Sequence, residues 1–138
     1  MSRKMNKIQP ILLVEDDLVD IMTVKRGFKE VGVLNELLIM NDGEQALEYL
    51  NNPAQGLPCV ILLDINMPKM NGLECLKILK QHSVYKSIPV FILSSSREQQ
   101  DVDSSFSGGI SGYILKPVEF NEFLHSIKVL NSHWTVGS

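Results

Sequence analysis

Five short runs of apolar residues alternate along the chain with longer segments in which apolar residues recur at helical spacing. The runs are continuous and do not alternate with polar residues, a pattern typical of strands that are covered on both faces in a parallel sheet. Repeated alternation of strand and crossover helix predicts a doubly wound α/β domain with a five-stranded parallel sheet and five helices. The predicted strands are residues 11–14, 37–40, 60–63, 90–93 and 113–115.

The predicted helices differ in the strength of their apolar stripes. The first ends at Gly32, since glycine commonly terminates helices. The fourth, residues 98–109, is the weakest: Val102 and Phe106 are its only apolar anchors and its serines and glycines lower helix propensity, so we expect a short or frayed helix. The stripes of the other four are Leu18, Ile21, Met22, Phe28 and Val31; Ala46, Leu47 and Leu50; Leu73, Leu76, Ile78 and Leu79; and Phe120, Phe123, Leu124, Ile127 and Leu130.

Length and composition favour one ordinary globular domain over residues 1–138, with a core from about residue 8 to about residue 130. The chain is 44% hydrophobic and 21% charged, and its formal net charge of −3 argues against a basic nucleic-acid-binding surface. No apolar run approaches the ~18 residues of a membrane span, and no signal peptide is recognisable. Cys59 and Cys75 lie in apolar segments, as expected of reduced thiols in a cytoplasmic protein.

Polar residues follow four of the five predicted strands. Glu15, Asp16 and Asp17 follow the first, Asp64 the third, Ser94 the fourth and Lys116 the fifth. The carboxyl ends of parallel strands meet at one edge of a sheet, where open α/β folds bind their ligands. Carboxylate oxygens suit Mg²⁺, and a metal-neutralised carboxylate beside a lysine and a hydroxyl can hold a phosphoryl group. A carboxylate such as Asp64 needs no general base to act as a nucleophile.

Several residues at these strand ends also have an ordinary structural interpretation. Asp16 or Asp17 alone is best explained as the N-cap of the next helix. Lys116 alone would be a solvated surface lysine, and Pro117 alone the start of a loop entering a helix. Matched chemistry at four strand ends is hard to obtain from capping alone, so we favour a site.

At these residues the sequence resembles the receiver domain of two-component response regulators. The resemblance rests on LVEDD at residues 13–17, LDINMP at 63–68 with Gly72, Ser94 after the fourth strand, GYILKP at 112–117, and NDGEQAL at 41–47. It extends over about residues 8–130 and implies the flavodoxin-like strand order 2-1-3-4-5. Within the family, the details look most like the small phytochrome-associated response regulators of cyanobacteria. The shared features are the motif at residues 11–16, a long loop at residues 51–58 and a tryptophan, Trp134, just past the last helix.

The resemblance implies a role for each matching residue. Asp64 is the phosphoacceptor, and the ligands of Mg²⁺ are Asp16, Asp64, the backbone carbonyl of Asn66 and, largely through water, Glu15. Phosphate binding and switching fall to Ser94, Tyr113 and Lys116, and the peptide bond before Pro117 is expected to be cis. Glu15 stands where aspartate is commoner and Ser94 where threonine is commoner. Both keep the needed functional group.

We therefore expect a response regulator that takes a phosphoryl group from a sensor histidine kinase, including one of the phytochrome type, or exchanges it with a histidine phosphotransfer protein. We expect no enzymatic activity beyond its own phosphorylation and dephosphorylation. Few residues follow the predicted last helix, so output through protein contacts is expected, with a homodimer through the fourth-helix, fifth-strand, fifth-helix face and Trp134. Two alternatives are a Mg²⁺-dependent phosphatase that uses Asp64 as nucleophile, and a degenerate docking scaffold that is not phosphorylated.

Overall fold

A computed structural model of the chain describes residues 9–52, 56–65, 72–94 and 110–134, with side chains described as far as residue 128. The strands are β1 (Ile11–Val14), β2 (Leu37–Met40), β3 (Val60–Asp64), β4 (Val90–Ser94) and β5 (Gly112–Leu115). The helices are α1 (Leu18–Val31), α2 (Gly43–Leu50), α3 (Gly72–Gln81) and α4 (Phe120–Trp134), with a short 3₁₀ helix at Tyr85–Ser87. The predicted fourth helix and the anchors Val102 and Phe106 lie outside the described residues, so α4 corresponds to the fifth predicted helix.

The five strands form one parallel sheet in the order β2-β1-β3-β4-β5, which confirms the predicted fold class. Successive residues of each central strand point to opposite faces, and both faces are covered. Ile11 and Leu13 of β1 belong to the core under α1 and α4, whereas Leu12 and Val14 belong to the core under α2 and α3. Burial of both faces is the physical reason why these strands are continuously apolar.

The boundaries of the sheet differ from the sequence prediction at the ends that bear polar residues. Asp64 and Ser94 are the last residues of β3 and β4, and the ladder continues past them, since the Lys116 N–H donates to the Ser94 carbonyl oxygen at 3.1 Å. Both polar residues are therefore held by the rigid sheet and not by a loop.

The apolar face predicted for the first helix is partly wrong. Ile21 and Phe28 are buried, but Leu18 and Met22 are 73% and 67% exposed. Met22 lies one residue, or about 100°, from Ile21 around the helix, so the two cannot share one narrow face. Ile78 of α3 is exposed for the same reason, since it lies one residue before buried Leu79. Val31 is in line with the buried face of α1 but is exposed because it is the last residue of that helix. The buried face of α1 is formed by Asp20, Ile21, Val24, Gly27 and Phe28.

The last helix packs closely on α1. A β-carbon at Gly27 would lie only 2.5 Å from the Phe123 ring, which makes an edge-to-face contact with Phe28 at a centroid distance of 5.6 Å. Glycine is needed there because the two helices approach so closely. The helix continues to Trp134, so the prediction that this residue lies just past the last helix is wrong.

Candidate functional site at the carboxyl edge of the sheet

The carboxyl edge of the sheet gathers four of the predicted residues from four different strand ends. Glu15 follows β1, Asp64 ends β3, Ser94 ends β4 and Lys116 follows β5. Glu15 and Ser94 are completely buried, and Asp64 is 1% exposed. Buried polar groups are rare unless they are paired, so these three residues mark a specialised region of the protein.

Lys116 links the carboxylates of this region. Its Nζ lies 3.0 Å from Glu15 Oε1, 3.2 Å from Asp64 Oδ2 and 3.2 Å from Asp20 Oδ2. Burial by itself would lower the pKa of Lys116, but the hydrogen bond to Glu15 and the charges of Asp64 and Glu15 outweigh it and raise the pKa. The ammonium is therefore held charged at the centre of the site, and a solvated surface lysine is excluded.

Glu15 is unusual among the acidic side chains. Its Oε2 accepts the backbone N–H groups of Asp16 and Asp17, both at 3.1 Å. Burial, and then the charge of Asp64, raise the pKa of Glu15 to about 7, although the N–H of Asp17 and Lys116 both favour the ionised form. Its Oε1 accepts no hydrogen bond from the described residues, despite its 3.0 Å approach to Lys116 Nζ. A buried carboxylate oxygen that accepts no hydrogen bond can bind another electropositive partner, such as a cation.

Three carboxylates could hold a metal ion. Glu15, Asp16 and Asp64 each place an oxygen within 4.8 Å of the others, with Asp16 exposed at the mouth of the site. An all-oxygen donor set with one exposed carboxylate fits a hard divalent cation that keeps some of its water. The fit is supported by the buried Glu15 Oε1, which accepts no hydrogen bond from the described residues. Asn66, the predicted carbonyl ligand, lies outside those residues.

Asp17 has the structural role that the sequence left open. Its Oδ1 accepts the N–H groups of Val19 and Asp20 at 2.9 and 3.3 Å, so it is the N-cap of α1. The cap starts the helix directly after the two acidic residues of the site. Capping therefore explains Asp17 but not its neighbours.

Ser94 ends β4, and Tyr113 lies in the adjoining strand β5. Ser94 Oγ is buried and has no hydrogen-bonding partner among the described residues. Tyr113 is half-buried against the core under α2 and α3. An unsatisfied buried hydroxyl costs free energy, and its position at a strand end beside β3 suits an oxygen that arrives from outside the protein.

The loop after β5 has the predicted backbone geometry. The Lys116–Pro117 peptide bond is cis. One residue further, the Val118 N–H donates a buried hydrogen bond of 3.0 Å to Asp20 Oδ1. The loop that bears Lys116 is thereby fastened to α1.

Asp20 is a residue of the site that the sequence patterns did not identify. It is 3% exposed and contacts both Lys116 and the backbone of Val118. The missed signal was its spacing, since Asp20 lies four and seven residues before Val24 and Gly27 and therefore on the buried face of α1. A carboxylate on a buried helix face needs a partner, and that expectation could have drawn attention to it.

A parallel sheet of order 2-1-3-4-5 whose carboxyl edge holds a lysine among buried carboxylates defines a receiver-type signalling domain. The chain belongs to the response regulator receiver domain family, whose sequence model matches residues 11–128. The sequence is 34% identical to the response regulator Rcp1 of Synechocystis sp., over 97% of this chain and 94% of that protein.

The chain is also similar to solved structures of response regulators. The chain is similar to the bacteriophytochrome response regulator RtBRR, with a TM-score of 0.79 and 42% identity over 89% of this chain and 78% of that one. It is also similar to the phosphorylated cyanobacterial phytochrome response regulator RcpA, with a TM-score of 0.79 and 30% identity over 95% of this chain and 96% of that one. In the described part of the chain, no helix is long and apolar enough to cross a membrane.

Proposed function

We propose that this receiver domain accepts a phosphoryl group on Asp64 from a sensor histidine kinase and uses it to switch a protein-binding face. One observation carries the proposal. The buried carboxylate of Asp64 lies 3.2 Å from the Lys116 ammonium, and the hydroxyl of Ser94, on the neighbouring strand, is buried with no hydrogen-bonding partner among the described residues. A phosphoryl group on Asp64 would supply acceptor oxygens to both groups.

The proposed step is a direct transfer. A carboxylate oxygen of Asp64 attacks the phosphorus of a phosphohistidine, so that an O–P bond forms and the N–P bond breaks. The bonding electron pair stays on the imidazole nitrogen, which takes up a proton from water. Lys116 attracts the transferred oxygens electrostatically and stabilises the charge that gathers on them.

Glu15, Asp16 and Asp64 would hold Mg²⁺, together with Asn66 if the family pattern extends to it. When bound, Mg²⁺ neutralises the negative charge that the carboxylates and the phosphoryl group bring together. The buried Glu15 carboxyl, with its pKa raised to about 7, is consistent with a site that gains from a cation. Ser94 and Tyr113 would carry the signal, because a hydroxyl drawn toward a phosphoryl oxygen leaves space for the half-buried ring.

The first turns of α1 offer a contact surface for the donor. Leu18, Val19 and Met22 are 73%, 71% and 67% exposed and directly follow the acidic residues at the mouth of the site. A donor that brings phosphohistidine to Asp64 must cover this rim, and exposed apolar side chains mark protein contacts. The phytochrome response regulators among the similar structures favour a phytochrome-type histidine kinase as the donor, with a histidine phosphotransfer protein as a further partner.

We also propose that the chain forms a homodimer through β5 and α4. Leu115 of the edge strand β5 is 47% exposed and adjoins a cavity of about 420 Å³ between β5 and α4. A second copy that packs there would cover Leu115 on this edge strand, and closed twofold pairs are the commonest assemblies. Sedimentation over a concentration series, with and without a phosphoryl donor, tests this homodimer; a monomer in both states at high concentration contradicts it.

Phosphorylation with acetyl phosphate and Mg²⁺, followed by intact-mass measurement, tests the function. Wild-type protein should gain one phosphoryl group and Asp64→Asn none. Asp42→Asn is the matched control, since Asp42 is also buried but caps α2, a task that asparagine performs equally well. Labelling of the Asp64→Asn variant contradicts the assignment. Unlabelled wild type favours the docking scaffold, and steady release of phosphate from small esters favours the phosphatase.

A further inference from the structure

Asp20 joins two groups that are distant in sequence. Its Oδ1 accepts the N–H of Val118 at 3.0 Å, and its Oδ2 lies 3.2 Å from Lys116 Nζ. The Asp20 side chain is 4% exposed and that of Lys116 is 21% exposed, so water screens their contact only in part. The residue therefore contacts both the loop that bears the lysine and the lysine itself.

Three carboxylates share the Lys116 ammonium. Its ammonium donates hydrogen bonds to Glu15 Oε2 at 3.1 Å and to Asp64 Oδ2 at 3.2 Å, and Asp20 Oδ2 is equally close. Asp20 does not belong to the group of oxygens that fits a metal ion within the described residues. It therefore contacts the lysine without being one of the carboxylates that would hold a metal ion.

We propose that Asp20 is a positioning residue that competes with Asp64 for Lys116 and so limits how strongly the ammonium holds a phosphoryl group. The inference rests on the proposed function of Asp64. In the unphosphorylated protein the ammonium is divided between Asp20, Glu15 and Asp64. When Asp64 carries a phosphoryl group, the added negative charge draws the ammonium away from Asp20.

The substitution Asp20→Asn separates the two contacts. The buried N–H of Val118 requires an acceptor, whereas Lys116 retains two other carboxylates, so the amide oxygen of the new side chain should face Val118. The amide NH₂ then faces the ammonium and repels it toward Asp64. Asp20→Ala removes both contacts and reports the structural contribution of the hydrogen bond to Val118.

The experiment measures the affinity for beryllofluoride, a phosphoryl mimic, in the presence of Mg²⁺. We expect Asp20→Asn to bind it about fivefold more tightly than wild type, the effect of one partly screened charge pair. In a Lys116→Met background the same substitution should have no effect, because the ammonium for which Asp20 and Asp64 compete is absent. An unchanged or weaker affinity in Asp20→Asn, or a gain that persists without Lys116, overturns the proposal.

A second measurement needs no variant. The ¹³C resonance of the Asp20 carboxyl in wild-type protein should shift when beryllofluoride binds, since the ammonium leaves it. A resonance that stays in place while those of Asp64 and Lys116 move overturns the proposal. Absence of beryllofluoride binding to wild type would instead contradict the function proposed for Asp64, so the two failures are distinguishable.

Discussion

Gly72 lies directly against the backbone of Asp64. A β-carbon at position 72 would overlap the Asp64 carbonyl oxygen and would approach the Ile65 α-carbon to 2.6 Å. The Gly72 N–H also donates to the Ile65 carbonyl oxygen at 2.8 Å, so the start of α3 is fixed to the end of β3. The glycine of the sequence motif is thus explained by packing beneath the proposed acceptor.

Gly72→Ala should destabilise the protein although alanine is the better helix former. The overlapping atoms are backbone and cannot rotate away, so we expect the free energy of unfolding to fall by about 1–3 kcal/mol, as for other overpacked sites. Phosphorylation of Asp64 should slow as well. Urea denaturation checks the first effect, with Lys77→Ala on the exposed face of α3 as control. Equal stability of Gly72→Ala and wild type would show that α3 can move away from β3.

Glu15 should make the metal-free protein less stable as the pH rises. Its pKa is raised from 4.5 to about 7, so between these values the folded protein holds a proton that the unfolded chain has lost. The free energy of unfolding should therefore fall across this window, by an amount on the order of 1–3 kcal/mol, and level off above it.

Glu15→Gln is the comparison that isolates this effect, because its amide oxygen still accepts the N–H groups of Asp16 and Asp17. Urea denaturation from pH 4 to pH 8 should give a profile for wild type that declines relative to that of the variant. Parallel profiles would mean that Glu15 is ionised at the same pH in the folded and unfolded chains.

Ser94→Ala should leave stability unchanged or raise it by up to about 1 kcal/mol. The buried hydroxyl has no hydrogen-bonding partner within the described part of the chain, so its removal loses no hydrogen bond there and relieves a desolvation cost. Beryllofluoride should still bind, but the ¹⁹F resonance of a fluorotyrosine at Tyr113 should no longer respond to it. A marked loss of stability would reveal a structural hydrogen bond, and an intact response at Tyr113 would remove Ser94 from the switch.

Met22→Glu should impair phosphotransfer from a histidine kinase without affecting phosphorylation by acetyl phosphate. Met22 is 67% exposed beside the site, and a charge there opposes burial against a protein donor but not access of a small molecule. We expect a loss of tenfold or more in transfer from a phosphorylated phytochrome-type kinase. Leu34→Glu is the control, since Leu34 is 91% exposed beyond the opposite end of α1. Equal losses in both variants, or none in either, contradict this docking surface.

The sequence by itself determined the sheet and the residues at its carboxyl edge. Runs such as residues 11–14 are apolar throughout because both faces of a central parallel strand are buried, so the sheet can be recognised locally. Parallel strands present all their carboxyl ends at one edge, so Glu15, Asp64, Ser94 and Lys116 could be brought together without any knowledge of distances. Local patterns also left room for error, as at Met22, where a hydrophobic residue proved to face solvent.

Tertiary structure alone decided how these residues act on one another. The raised pKa of Glu15 depends on complete burial and on its distance from Asp64, neither of which spacing in the chain reveals. The contact between Asp20 and Lys116 joins residues far apart in sequence through the packing of α1 against the loop after β5. Electrostatic energies vary with distance and burial in three dimensions, whereas sequence periodicity reports only which face of an element is buried.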